Sequence, residues 1–300
     1  MDDASVQQVR RFNRSVTQRV GALDDRYLAR DRPLGEARLL WEIGPGGCEV
    51  RALRTRLGLD SGHASRLLRA LERDGLVEVV AGARDGRVRT ARLTTAGRAE
   101  RALLDERSDE LARAFLAPLS ARQRERLVGA MGEVERLLTA ALVELGPADP
   151  AEPDARFCIR SYFDELDRRS ESGFDPAAGI QLDPRELRPP AGVLLLARLR
   201  AEPIGCGAVR LHGDGPAEIR RMWVAEAARG LGVGRRLLGE LEAWAVARGA
   251  RVARLETNRA LAEAISLYRS SGYREVAAFN DEPFADHWFE KRLDGTDARR

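Results

Sequence analysis

Arg229-Gly-Leu-Gly-Val-Gly234 is the segment whose residue types and spacing promise chemistry. It follows a strand-like run, Glu218-Ile-Arg-Arg-Met-Trp-Val224. It opens into a stretch with Leu237, Leu238, Leu241, Trp244 and Ala245 at helical spacing. A loop leading from a strand into a helix leaves the first N–H groups of that helix unpaired, and the helix dipole favours negative charge there. Glycines at 230, 232 and 234 let the main chain approach a ligand where a Cβ would stand in the way. The segment reads as a cradle for a diphosphate.

Two common phosphate loops are excluded by residue type. A dinucleotide fingerprint needs G-x-G-x-x-G, and Leu237 stands where its last glycine would fall. The nucleoside-triphosphate loop needs a Lys-Ser or Lys-Thr pair, and none follows here. What remains is Arg-x-x-Gly-x-Gly. Around it, Ala191–Ala197 and Pro203–Leu211 read as strands joined by a tight turn near Arg200–Glu202. A second turn at 213–216 leads into the Glu218 strand. After the loop come a helix ended by Gly249, a strand over Val252–Asn258 and a helix over Ala260–Ser271. Strands over Arg274–Phe279 and Ala285–Leu293 complete the order.

The Arg229–Gly234 loop resembles motif A of the GNAT superfamily of N-acetyltransferases, and Leu267-Tyr-Arg-Ser-Ser-Gly-Tyr273 resembles its motif B. The resemblance covers roughly residues 140–293. It implies an α/β mixed-sheet acyl-CoA N-acyltransferase fold and acetyl-CoA as acetyl donor; the scattered Cys48, Cys158 and Cys206 and the scattered His63, His212 and His287 suggest no metal. It also implies that Met222, Trp223 and Val224 pair with the pantetheine arm through their backbone. Arg229, Gly230, Leu231, Gly232, Val233, Gly234 and Arg235 would hold the pyrophosphate, with Asn258 a weaker cofactor contact. A primary amine must lose a proton before it attacks a thioester, and the departing thiolate must gain one. The resemblance assigns the base to Glu218, acting through water, and the acid to Tyr268. A solvated strand-end glutamate and a core tyrosine are the plain alternatives. His287 is an alternative base, and Tyr162, Phe163, Glu165, Arg168 and Arg169 lie on an early helix facing the acceptor.

The first half of the chain has another character. Residues 1–140 carry 26 basic and 21 acidic side chains, whereas residues 141–300 carry 24 and 26. The excess is concentrated at residues 51–101, with 12 basic and 6 acidic, which points to a polyanionic partner. Glu36–Ile43 and Glu49–Leu57 read as helices. A third, capped by Asp60 or Ser61, runs to about Asp74 and buries Ala64, Leu67, Leu68 and Leu71. Leu76–Val80 and Val88–Leu93 make a hairpin tipped by Arg84-Asp-Gly-Arg87.

Helix, turn, helix and basic hairpin form a mainly α winged helix-turn-helix with a β wing, and the order resembles the MarR family of regulators. That resemblance implies double-stranded DNA as partner. Ser61, His63, Ser65, Arg66 and Arg69 would lie on the recognition helix, and Arg84 and Arg87 on the wing. Lys291 is the only lysine, so arginine density alone does not single out any of these positions.

Apolar positions Val6, Val9, Phe12, Val16 and Val20, then Leu103, Leu104, Leu111, Phe115 and Leu119, recur in helical steps. A further set, Leu127, Met131, Val134, Leu137 and Leu138, follows Pro118. Such flanking helices fit a homodimer, and packing within one chain would produce the same stripes. The domains are expected at 1–139 and 140–300, with the proline-rich connection Gly146–Pro153 just after the first strand of the second. The start lacks an apolar signal core, and three scattered cysteines suggest no disulfide framework, so a cytoplasmic protein is expected.

Three readings stand at this point. The chain is a regulator joined to an acetyltransferase acting on a small primary amine, a regulator whose second domain only senses acetyl-CoA or a metabolite, or an acetyltransferase carrying a dimerising winged-helix remnant.

Overall fold

The computed structural model describes residues 2–22, 27–81, 88–170, 173–180, 182–213 and 215–293. Two compact units emerge, Met1–Gly129 and Ala130–Arg300.

In the first unit, α1 (Asp3–Arg19) precedes α2 (Leu34–Ile43), the two-residue β1 (Cys48–Glu49), α3 (Val50–Leu57) and α4 (Ser61–Arg73). The Asp60 carboxylate accepts the His63 N–H at 2.9 Å and caps α4, an arrangement worth about 1 kcal/mol. Gly75, at φ +71°, ends the helix in the left-handed region. Ala64, Leu68 and Leu71 face inward as expected, and Leu67 is only half-buried. With Leu39 and Leu40 of α2 and Leu53 of α3, Leu68 and Leu71 form one core closed by Ala91 and Leu93.

Those last two belong to β3 (Arg89–Leu93), which pairs antiparallel with β2 (Val77–Ala81) and β1. The wing tip, including Arg84 and Arg87, lies outside the described residues. Thr94 then caps α5 (Thr95–Leu116) through the Gly97 N–H. A Cβ at Gly97 would sit 1.9 Å from the Leu76 carbonyl oxygen, so only glycine lets α5 pass the hairpin this closely. Arg30 and Arg32 converge on Glu100 of α5 at 2.7 and 3.2 Å.

Val6, Val9, Phe12 and Val16 of α1 are exposed, as are Val128, Met131, Leu137 and Leu138 of α6 (Ala121–Ala141). Among the described residues no helix is long and apolar enough to cross a membrane.

The second unit is built on a seven-stranded sheet. Its strands are β4 (Val143–Ala148), β5 (Gly192–Leu199), β6 (Glu202–Arg210), β7 (Ala217–Val224), β8 (Val252–Thr257), β9 (Arg274–Val276) and β10 (His287–Arg292). Their spatial order is β4-β5-β6-β7-β8-β10-β9. The Gly146-Pro147 start of the expected connection is inside β4. A proline fits there because β4 is an edge strand and need not donate outward. Arg200 and Ala201, both at positive φ, form the tight β5–β6 turn. The last two strands are shorter than their apolar runs suggested, stopping at Val276 and starting at His287.

Two features of the sheet shape the site. Opposite Gly207, β7 carries an extra residue, and Arg221 adopts φ +56° at that bulge. Next, β7 and β8 are the parallel pair, and their pairing is confined to Ala217↔Ala253 and Glu218↔Arg254. Beyond that point the two strands part. α8 (Val233–Val246) packs Leu237, Leu238 and Leu241 on one face of the sheet. α7 (Pro153–Arg169) packs Ala155 and Cys158 on Leu194, Leu196 and Ala208 at the other. Each fully buried leucine contributes about 1.5–3 kcal/mol of apolar transfer, which fixes the strands from which the site is made.

Candidate active site

A cavity of about 440 Å³ opens beside the C-terminal end of β7. Met222, Trp223 and Val224 line one side, with Gly230, Gly232, Val233, Gly234 and Arg235 at the start of α8. Leu267 and Tyr268 of α9 (Ala262–Ser270) lie opposite. Gly232 is the N-cap at φ +73° and offers no side chain to the helix. The first helical bond runs from the Arg236 N–H to the Gly232 carbonyl, which leaves the N–H groups of Val233, Gly234 and Arg235 at the open end. Three aligned donors at a positive helix terminus suit a phosphate oxygen. At Gly234 a Cβ would come within 3.2 Å of Leu267, and positive φ at Gly230 and Gly232 disfavours side chains there. Leu231 does not line this cavity and packs against the core instead.

The two arginines of this segment are anchored to protein. Arg229 Nη2 lies 2.5 and 2.7 Å from the two oxygens of Glu165 on α7. Glu165 also accepts from Trp223 Nε1 at 3.0 Å and lies 2.9 Å from Arg169. Arg235 donates to Ser270 Oγ at 2.8 Å. Thus Glu165, expected toward the acceptor, braces the cradle, and Arg169 is shared between Glu165 and Glu263.

A second cavity of about 60 Å³ adjoins the first, and Tyr162, Leu166, Met222 and Tyr268 line both. Tyr268 is buried, and burial together with the nearby Tyr162 and Glu256 holds its hydroxyl well above the ordinary tyrosine range. Its place where the two cavities meet lets the hydroxyl hydrogen-bond a sulfur formed there and pass it a proton, although the raised value makes it a weaker acid than an ordinary tyrosine. Asn258 lines the second cavity rather than the first. Its side chain bridges the Phe284 carbonyl and the Ala260 N–H, which bends the chain after β8.

Glu218 is 2% exposed and lines neither cavity. Its Oε2 meets Arg210 Nη2 at 2.5 Å and His212 Nε2 at 3.0 Å, and Arg220 lies 3.5 Å from Oε1. Burial would raise this carboxyl, but His212, Arg210 and Arg220 outweigh it and hold the group below the ordinary glutamate value. Two carboxylates do line the second cavity, Glu256 of β8 and Glu282, and Glu256 belongs to the strand beside β7. Its side chain is 7% exposed and lies 2.8 Å from Arg220. Burial raises its carboxyl above the ordinary value despite that arginine. Glu282, 3.5 Å from Arg220 and accepting the Ile180 N–H at 2.9 Å, completes the group. His287 is occupied by Glu275 at 2.6 Å and lines neither cavity.

Sequence reading missed Glu256, Arg220, Arg221 and Glu282. The available signal was a pair of adjacent arginines inside a strand that is otherwise mostly apolar, together with a glutamate at the end of β8.

In the first unit, α4 presents Ser61, His63, Arg66 and Arg69 outward, and Ser65 is half-buried. Arg69 Nε donates to the Ser65 carbonyl at 3.1 Å, so its guanidinium lies along the helix.

Comparison with known proteins follows the same division. The model of the acetyltransferase (GNAT) family matches residues 159–273, and that of the MarR family matches residues 31–88. An IAA acetyltransferase from Azospirillum brasilense is 36% identical over 122 residues, 40% of this chain and 80% of that protein. An uncharacterized N-acetyltransferase from Schizosaccharomyces pombe is 32% identical over 134 residues, 43% of this chain and 80% of that one. The crystal structure of an acetyltransferase of the GNAT family from Staphylococcus aureus is 14% identical. The match covers 50% of this chain and 99% of that one with a TM-score of 0.43. Through its C-terminal half the chain belongs to the acetyltransferase (GNAT) family, and that domain is fused to an N-terminal domain of the MarR family.

Proposed function

We propose that the chain is a DNA-binding regulator fused to a working N-acetyltransferase that moves an acetyl group from acetyl-CoA to a small primary amine. Acetyl-CoA supplies the acetyl group as a thioester. The open end of α8, with Gly230, Gly232 and Gly234, fits the pyrophosphate, and Met222–Val224 fit the pantetheine arm alongside. Tyr268 hands its proton to the departing sulfur. The amine's proton leaves toward a carboxylate.

Glu218 is poorly placed to be that base. A carboxylate held low by a hydrogen bond to His212 and by the charges of Arg210 and Arg220, and outside both cavities, is a weak acceptor. Glu256 faces the cavity shared with Tyr268, and its raised affinity for protons brings it nearer to a working base at neutral pH. Glu256 is the base, acting directly or through one water, and Glu218 sets the position of Arg220. Holding amine and thioester together contributes several kcal/mol more.

The observation that carries the reading is Tyr268, a protonated hydroxyl where the two cavities meet. A pure sensor of acetyl-CoA would need the first cavity and no acid at its junction with a second. The test is thiol release from acetyl-CoA across an amine panel, wild type against Y268F. Release that depends on amine and collapses in the variant supports the transferase. Acetyl-CoA binding without release from any amine favours the sensor.

The exposed side chains of α4 support DNA binding by the first domain, and the exposed apolar stripes of α1 and α6 support a homodimer. A cytoplasmic location, where DNA and acetyl-CoA meet, belongs to this reading.

A further inference from the structure

The second cavity is lined by an arginine that makes no ion pair with a carboxylate among the described residues. Its charged lining residues are Arg220, Arg221, Glu256 and Glu282. Arg220 takes up the carboxylates: Glu256 at 2.8 Å, Glu282 at 3.5 Å and the neighbouring Glu218 at 3.5 Å. Glu282 is further occupied by the Ile180 N–H. Arg221 has no carboxylate partner among the described residues. Its guanidinium lies instead over the ring of Phe163, 4.4 Å from the centroid, with Tyr162 at 5.8 Å.

An aromatic ring holds one face of a guanidinium and leaves its edge of N–H donors free. The bulge delivers it there. At φ +56° Arg221 is in the left-handed region that residues other than glycine seldom adopt, and it does so at the bulge between β6 and β7. The adjoining carboxylates, Glu256 and Glu282, would draw an ammonium group toward the Tyr268 side of the same cavity.

We infer that Arg221 grips a carboxylate of the acceptor, so the acceptor is an amino acid or a close relative carrying both an amine and a carboxylate. This rests on the transferase reading above and narrows its substrate class. The fork of Arg221 matches a carboxylate with two parallel hydrogen bonds. An acceptor carboxylate would give Arg221 the ion-pair partner it lacks, while the amine of the same molecule would face the carboxylates. A phosphate would bring a second negative charge against Glu256 and Glu282. The volume of about 60 Å³ suits such a headgroup, with the rest of the acceptor extending into the larger space beside Tyr162.

The experiment measures thiol release from acetyl-CoA with a panel of L-amino acids and their matched carboxamides, for wild type, R221Q and R221K. The expected result is turnover of acids, with carboxamides about 100-fold poorer in kcat/KM and the difference mostly in KM. R221Q should lower kcat/KM for acids by about 100-fold, the usual scale for losing one partner of a buried charge pair, and erase the gap between acid and amide. R221K, which keeps the charge and loses the fork, should fall between. Carboxamides used as well as acids, or equal losses for both in R221Q, would overturn the inference and leave the transferase intact.

The same amino acids are titrated calorimetrically with CoA present. Binding that depends on Arg221 without turnover keeps the inference and removes the transferase. Neither binding nor turnover removes both.

Discussion

Arg229 meets Glu165 at two points, 2.5 and 2.7 Å, so the residue leading the cradle is tied to α7 rather than aimed into open space. Glu165 is 7% exposed and serves Trp223 and Arg169 as well. Replacing it with alanine strands the Trp223 N–H and two guanidinium groups. E165A should destabilise the C-terminal domain by about 2–3 kcal/mol, lowering its Tm by roughly 4–12 °C and weakening acetyl-CoA binding. A thermal scan showing no shift would mean the bracing is not energetic.

Gly232 has nothing within 4 Å of an added Cβ, and its φ of +73° is one that aspartate tolerates better than most residues. G232D should therefore fold while setting a negative charge at the three free N–H groups. Calorimetry should show acetyl-CoA binding lost, with thermal stability changed by about 1 kcal/mol at most. Undiminished binding would move the phosphate site elsewhere.

Glu256 must be ionised to accept a proton. Its folded value lies above the ordinary 4.5, so kcat/KM should rise with pH along a limb displaced above the usual carboxylate range. E256Q should lose that limb and about 10²–10⁴-fold in kcat, while E218Q should keep the limb. The raised Tyr268 should cause no alkaline fall below pH 10. A limb that vanishes in E218Q instead would return the base to Glu218.

Glu100 gives the N-terminal domain a separate pH dependence. Hydrogen bonding to Arg30 holds its carboxyl below 4.5, so the folded state binds this proton less tightly than the unfolded one. The resulting stability is present above pH 4.5 and disappears as pH falls through the depressed folded value. E100Q should cost about 1–2 kcal/mol at neutral pH and flatten the acid loss, as read by denaturant titration of the whole chain.

Arg66 and Arg69 stand outward on α4. R66A with R69A should weaken DNA binding and reduce the slope of log affinity against log salt by about 2, if both contact phosphates. Gel-shift titration at several salt concentrations reads this directly, and an unchanged slope would exclude phosphate contacts.

The order of elements was legible because it follows from local signals. Gly75 and Gly249 mark helix ends, Asp60 marks a start, and leucines at three- and four-residue steps mark the buried face of α8. The cradle was legible for the same reason: its donors are backbone and its glycines are contiguous in sequence. The placement of the carboxylates was not. Glu218 and Glu256 lie on adjacent strands whose register is set by two pairings, and which carboxylate reaches the cavity depends on where β7 and β8 separate. Arg221 was hidden by the bulge, since strict alternation from Glu218 would have sent it to the opposite face. The partners of Arg229 were hidden because Glu165 is 64 residues away in sequence.

The short pairing between β7 and β8 makes the sheet mechanically two leaves, β4–β7 and β8–β10, sharing a narrow backbone seam. A ligand in the larger cavity touches Met222–Val224 of the first leaf and Leu261, Leu267 and Tyr268 of the segment that follows β8, and so adds contacts across that seam. Amide exchange along Leu255–Thr257 should slow far more on saturation with acetyl-CoA than exchange in β5 and β6. At 100 times Kd the domain gains about 2.7 kcal/mol, so its resistance to proteolysis will track the supply of acyl donor.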